Sequence, residues 1–314
     1  MRKKEIISVS LCVAGLVAFS SCGSNSDDIP LATGVVSQSG IAAADSLLAQ
    51  GRAYQAAGKN GKALSIYKTI FKKYPYTKAA SEARFLEGQI LDKQGDLFKA
   101  FEAYQDVISR FPGSPRYATA LSRQEAVAHA AANGVIKNNF LGMKTRIGPE
   151  KVEKMLGHVR DNAPQAVSAP KAQYAIGRVW QKEGNASKAI AAYQKLALEY
   201  PNSKSAPEAL YQQGEILVLK AERGNHNTAH VNRARDIYME LIQRYPRHSR
   251  ASASRKRLAM LGGQDIQRSY ETAEFYRKKG QTTSAIFYYK EVMSKTKSGN
   301  YYNLAKKRIA ELKR

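Results

Sequence analysis

One pattern recurs along this 314-residue chain: an Ala, a Tyr four residues later, and a Pro eight residues after that. It occurs as Ala63-Tyr67-Pro75, Ala100-Tyr104-Pro112, Ala189-Tyr193-Pro201 and Ala234-Tyr238-Pro246, and Ala285-Tyr289 repeats it with Lys297 in place of the Pro. In three of the five, one Gly lies twelve residues before the Ala and a second lies five before it: Gly51 and Gly58, Gly88 and Gly95, Gly177 and Gly184. Each residue type has a physical reason to be there. The first Gly lets two helices approach closely, and the second ends the first helix, where a left-handed backbone is needed. The Ala sits where the second helix crosses the first, and the Tyr one turn on fills the gap between units. The Pro stops the second helix, because it has no N–H and restricts the residue before it.

This spacing resembles the tetratricopeptide repeat, a helix–turn–helix unit of about 34 residues. The expected fold is all-α, a superhelical solenoid of about six repeats. The prolines 75, 112, 164, 201 and 246 expose a degenerate third unit, with Val152 at the Ala position and Leu156 at the Tyr position. That unit is lengthened around 133–148, and the fifth carries extra residues near Glu222–His230. The expected repeats lie near 43–76, 80–113, 117–165, 169–202, 206–247 and 265–297, with a closing helix at 300–312. Stacked units leave a concave face lined mostly by the first (A) helices, a surface suited to peptides or protein segments.

The N-terminus sets the expected compartment. Arg2, Lys3 and Lys4 precede a 14-residue uncharged stretch, Ile6–Phe19. A bilayer span needs roughly 20 apolar residues, so this length suits a secretory signal instead. Ser20-Ser21-Cys22 follows, which resembles a bacterial lipoprotein signal, cut before a Cys that then receives a diacylglycerol. The expectation is a signal peptide over 1–21, a lipid on Cys22, and a flexible tether over 22–41. An ordinary signal peptide or an uncleaved anchor is the alternative. Cys12 and Cys22 are the only cysteines, which excludes a disulfide scaffold and a Cys-based zinc site. The net charge of +24 calls for acidic partners. Export removes nucleic acid from among them, leaving acidic protein or anionic membrane.

No catalytic signature emerges. Gly58-Lys59-Asn60-Gly61-Lys62 lacks the spacing of a phosphate loop. His226 and His230 beside Glu222 read as loop rather than as metal ligands, so no metal site is expected. His129, His158 and His248 are expected at the surface. Trp180 shares the A-helix register of Tyr54 and Tyr276 and is expected in the core. The candidate protein-binding groove consists of A-helix residues one turn from the packed Gly: Arg52, Phe85, Gln89, Tyr174, Arg178 and Tyr211. Residues 250–314 hold sixteen Lys and Arg against five Asp and Glu, and Arg255-Lys256-Arg257 is the densest cluster. Apart from a covalent lipid on Cys22, no cofactor is expected.

The segment Tyr245-Pro246-x-x-Ser249, then Ala253, then Arg257-Leu258-x-x-Leu261, is followed by Tyr270-Glu271-x-Ala273-Glu274-Phe275-Tyr276 and Lys279-Gly280. It inserts an extra helix between two repeats and then a helix A ending in an aromatic pair. This arrangement resembles the BamD family of outer-membrane assembly lipoproteins. The resemblance implies a non-enzymatic scaffold on the periplasmic face of the outer membrane. Its C-terminal repeats would dock on a POTRA domain of the barrel-forming subunit, with Arg255, Arg257 and Tyr276 in the docking half. Its N-terminal groove, with Phe85 and Gln89, would receive unfolded outer-membrane proteins. Another periplasmic adaptor lipoprotein, in envelope division or polysaccharide export, is the competing reading.

Overall fold

The computed structural model describes residues 37–134, 137–138, 144–223 and 228–314. The expected signal peptide, Cys22 and His226 lie outside them. The expected tether is described only at its end. There Ser37 caps a helix that begins at Gln38, its hydroxyl accepting from the Gly40 N–H at 3.2 Å, so helix replaces tether by residue 38.

Among the described residues there are thirteen helices. Five of them precede the insertion: α1 (Gln38–Ala56), α2 (Asn60–Lys73), α3 (Lys78–Gln94), α4 (Leu97–Arg110) and α5 (Tyr117–Ala132). Eight follow it: α6 (Pro149–Asn162), α7 (Ser168–Lys182), α8 (Ala186–Glu199), α9 (Ala206–Arg223), α10 (Thr228–Arg244), α11 (Ser249–Lys278), α12 (Thr282–Lys295) and α13 (Asn300–Leu312). The insertion contributes two-residue strands, β1 (Lys137–Asn138) and β2 (Lys144–Thr145), paired antiparallel. The fold is otherwise all-α, and each helix packs mainly on its neighbours in sequence. No described helix is long and apolar enough to cross a membrane.

The repeated residues build the core. Tyr67, Tyr104, Tyr193, Tyr238 and Tyr289 are fully buried, and so are Ala63, Ala100, Ala189, Ala234 and Ala285. A Cβ placed on Gly177 would stand 2.4 Å from the Tyr193 ring, so only a hydrogen fits. Gly214 has the same relation to Tyr238. It lies twenty residues before Ala234 rather than twelve, because the fifth unit carries its extra residues between the two helices. In the last unit Ala273, fully buried, takes the place of the Gly. Gly95 ends α3 at φ 87°, its N–H returning to the carbonyl of Leu91. Val152 and Leu156 are buried in α6, with Met155 and Val159 on the same face.

One expectation fails in α11. The extra helix and the following helix A are a single helix of 30 residues. Gly262 and Gly263 lie inside it; they weaken a helix by removing side chains but do not end one unless a left-handed backbone follows.

Candidate groove and docking surfaces

The A helices present two registers around the packed Gly. Three residues before it stand Phe85, Tyr174 and Tyr211, and each ring lies on the Tyr of the following helix: Phe85 on Tyr104 at 5.7 Å, Tyr174 on Tyr193 at 5.4 Å, Tyr211 on Tyr238 at 5.9 Å. Offset contacts of this kind add about 1 kcal/mol to the area they bury. Phe85 is only 1% exposed, which corrects its assignment as an open groove anchor. Tyr174 and Tyr211 are half-buried.

One residue after the Gly come Arg52, Gln89 and Arg178. Arg52 and Arg178 are exposed, and Gln89 is half-buried. Arg52 donates to Glu82 at 2.8 Å. Glu82 also receives both edges of Arg116, at 2.6 and 2.7 Å, so one carboxylate ties α1, α3 and α5 together. Burial works against the Glu82 charge, but hydrogen bonds from Arg116 and Arg52 outweigh it and hold its pKa below the ordinary carboxylate value. Arg116 lies over the Phe85 ring at 5.1 Å. Arg178 makes no ion pair among the described residues.

The same clasp recurs further along. Arg250 closes on Glu208 with two hydrogen bonds, one of 2.8 Å, and lies over Tyr211 at 4.4 Å. Two turns on from each clasp, Arg123 pairs with Asp92 at 2.6 Å and Arg257 with Glu215 at 2.8 Å. Neither Arg116 nor Arg250 was legible as a site residue. The available signal was an Arg four residues beyond Pro112 and Pro246.

The three residues expected to dock a partner do not form one patch. Arg255 is exposed, with no ion pair among the described residues. Arg257, two residues on, projects from the other side of the helix, where its bonds to Glu215 raise its pKa above the ordinary value. Tyr276 lies about 28 Å further along α11 at 1.5 Å per residue, stacked on Tyr288 with centroids 5.3 Å apart and rings 4° from parallel.

Trp180 is in the core at 3% exposure, with the Lys188 ammonium over its ring. His158 is exposed as expected. His129 and His248 are half-buried instead. Burial lowers the His129 pKa, and His248 caps α11 by accepting from the Arg250 N–H. Among the described residues, no group of three or more His, Cys, Asp or Glu could hold a metal ion.

Comparison with known proteins places the chain. A family model described as "Outer membrane lipoprotein" matches residues 150–310, and one described as "Tetratricopeptide repeat" matches residues 48–115. Among solved structures, the chain resembles the tetratricopeptide-repeat domain of P58(IPK). Identity is 19% over 86% of this chain and 78% of that one, with a TM-score of 0.33. It also resembles a tetratricopeptide repeat protein from Parabacteroides merdae, at 16% identity over 87% of this chain and 100% of that one, TM-score 0.31. A third is the C-terminal part of a repeat protein from Cytophaga hutchinsonii, at 16% identity over 82% and 86%, TM-score 0.33. Comparison with curated proteins gives no match.

Proposed function

The chain belongs to the outer membrane lipoprotein family, and on that premise we propose that it is a non-enzymatic scaffold of the machinery that assembles β-barrel proteins. On this reading a lipid on Cys22 holds it to the periplasmic face of the outer membrane. The A-helix surface around Arg52, Gln89, Tyr174, Arg178 and Tyr211 receives segments of unfolded outer-membrane proteins. The basic C-terminal half docks on a POTRA domain of the barrel-forming subunit.

Charge accounting in that half is the observation that carries the reading. Four of the five acids in 250–314 are already ion-paired within the chain: Asp265 with Arg235, Glu274 with Arg277, Glu291 with Lys295 and Glu311 with Arg308. Arg255 and Lys256 are exposed and unpaired among the described residues. A surface whose own acids are spent presents uncompensated cations to a partner, which favours fast, salt-sensitive association with an acidic face. Arg257 is held by Glu215 and contributes to docking only at its free edge.

The test is recovery of the barrel subunit with the tagged lipoprotein from outer membranes. Near-equal recovery is expected, with loss when Arg255→Glu and Lys256→Glu are combined. Unchanged recovery in that variant would overturn the docking surface. Recovery of division or export proteins, with no barrel subunit, would overturn the assembly role and leave the adaptor reading.

A further inference from the structure

α11 is longer than the helix it packs against. Its 30 residues extend about 45 Å, against about 26 Å for the 17 of α10. Arg235 of α10 marks where the two still touch, donating to the Leu261 carbonyl at 3.2 Å and pairing with Asp265. From there one stripe of α11 continues at spacings of three and four: Asp265, Arg268, Ser269, Thr272, Tyr276, Lys279. Its first part borders a cavity of about 270 Å³ shared with α10 and α12, where Asp265 offsets Arg235, Glu291 offsets Lys295, and Arg268 is left as the uncompensated cation. Its last part is an aromatic cluster. Tyr276 and Tyr288 stack face to face, and Phe275 and Phe287 meet them edge-on at 5.4 and 5.3 Å. Tyr288 borders the cavity as well, so cavity and cluster are continuous.

The same register is closed in three of the earlier units, though not in the first, where Ala53 is exposed and Tyr54 half-buried. Two and three residues past the packed Gly stand Ile90 and Leu91, Val179 and Trp180, Ile216 and Leu217, all between 1% and 7% exposed. Ile90 packs into the core built by α1 and α2, the preceding helix pair. In the last unit the corresponding residues are Phe275 and Tyr276, and Phe275 is 55% exposed, with Phe287 beside it at 64%. A large exposed aromatic surface in a position that three earlier units cover marks an interaction site. Its rim carries an excess of positive charge over one acid, Glu271, which lies one turn before Phe275. Arg268, Lys278 and Lys290 have no ion-pair partner among the described residues, and Lys279 lies over the Phe275 ring.

We propose that this open face of α11 and α12 is an acceptor slot for one amphipathic helix of a partner protein. The helix is three to four turns long, the length of α11 that α10 leaves uncovered. Its apolar residues, spaced three and four apart, rest on the four-ring cluster, and its acidic residues reach Arg268, Lys278 and Lys279. A helix is the occupant because helix packing closes this register in three of the preceding repeats. Acidic flanks follow from the charge of the rim. The slot is separate from the Arg255–Lys256 surface, and its test does not depend on the assembly role.

The lipidated full chain in phosphatidylcholine nanodiscs is titrated into two labelled 14-residue helical peptides, read by anisotropy. Both carry a Leu stripe; one is flanked by Glu and the other by Lys. The Glu peptide is expected to bind at least tenfold tighter, and Phe287→Ser or Lys278→Glu with Lys279→Glu to weaken it at least tenfold. Both changes are at exposed positions, so the helical circular dichroism is expected to stay unchanged. Equal binding of the two peptides, or indifference to Phe287→Ser, would overturn the proposal. Two arms distinguish other occupants. In phosphatidylglycerol nanodiscs, loss of peptide binding would assign the face to the anionic membrane. Self-association abolished by Phe287→Ser would assign it to a second copy. Each of these results would overturn the helix slot, whereas persistence of Glu-peptide binding in phosphatidylglycerol supports it.

Discussion

The chain carries one constellation twice. Arg52, Glu82, Phe85 and the packed Gly88 recur 126 residues on as Arg178, Glu208, Tyr211 and Gly214, and Arg116 and Arg123 recur 134 residues on as Arg250 and Arg257. The change of eight in the offset is the extra length of the fifth unit. Both blocks close an Arg clasp on a Glu and lay that Arg over an aromatic ring. They differ in what the Glu holds. Glu82 binds two arginines, one from α1 and one at the N-terminal cap of α5. Glu208 binds Arg250 and the Gln212 amide, leaving Arg178 without a partner among the described residues. The clasp is therefore a brace between repeats, and the second block alone leaves one arginine without an ion pair among the described residues.

The equivalence breaks most visibly at the glycines, and this is the largest expected effect. A Cβ on Gly88 would meet the Tyr104 ring at 2.8 Å, and one on Gly214 would meet the Tyr238 ring at 2.4 Å. Both rings are fully buried and have nowhere to retreat. Gly88→Ala and Gly214→Ala should each destabilise by about 2–3 kcal/mol, with Gly214→Ala the worse. Gly263→Ala, inside α11 with open space around it, should stabilise by up to about 1 kcal/mol. Urea denaturation of the three variants measures this, and a tolerated Gly214→Ala would mean that the second block is not packed like the first.

Much of this packing is legible in the sequence, because it depends on volume at fixed spacing. Ala, Tyr and Gly in register announce a close helix crossing wherever they recur. Gly214 and Ala273 escape that pattern, one through an insertion between its two helices and the other through replacement by a residue nearly as small. The groove is less legible. Phe85, Tyr174 and Tyr211 share a register, yet the first is sealed and the others are half-open, since burial depends on neighbouring helices that the register does not specify. The clasps were missed because Arg and Glu some 34 to 42 residues apart carry no periodic signature. The continuity of α11 departs from the extra helix and separate helix A that the resemblance implied, because Gly262-Gly263 takes ordinary helical backbone.

The carboxylates offer a sharper separation of the two blocks. Glu82→Gln removes the anchor of two arginines and should cost about 2 kcal/mol, whereas Glu208→Gln should cost about 1 kcal/mol. pH adds an independent check on Glu82. Its pKa is held below the ordinary carboxylate value, so the folded protein binds this proton less readily than the unfolded chain. That stabilisation is complete above the ordinary carboxylate pKa and is lost as pH falls through the folded value. The melting temperature should therefore drop on acidification below about pH 4.5, and Glu82→Gln should flatten part of that drop. A Glu82→Gln variant as stable as the parent and with the same acid profile would remove the brace from the account.

Arginines in the first register give the smallest effect on stability and the clearest division of roles. Arg52 is half exposed and shares Glu82 with Arg116, so Arg52→Gln should cost no more than about 0.5–1 kcal/mol. Arg178 braces nothing, so Arg178→Gln should leave the urea midpoint unchanged. It should instead weaken capture of an unfolded outer-membrane protein segment several-fold at low salt, with the difference fading as salt screens the charge. Capture by an Arg52→Gln variant should change less, because its guanidinium is already neutralised in place. If Arg178→Gln unfolds earlier while capture is unaffected, the leftover cation is structural and the two blocks are equivalent after all.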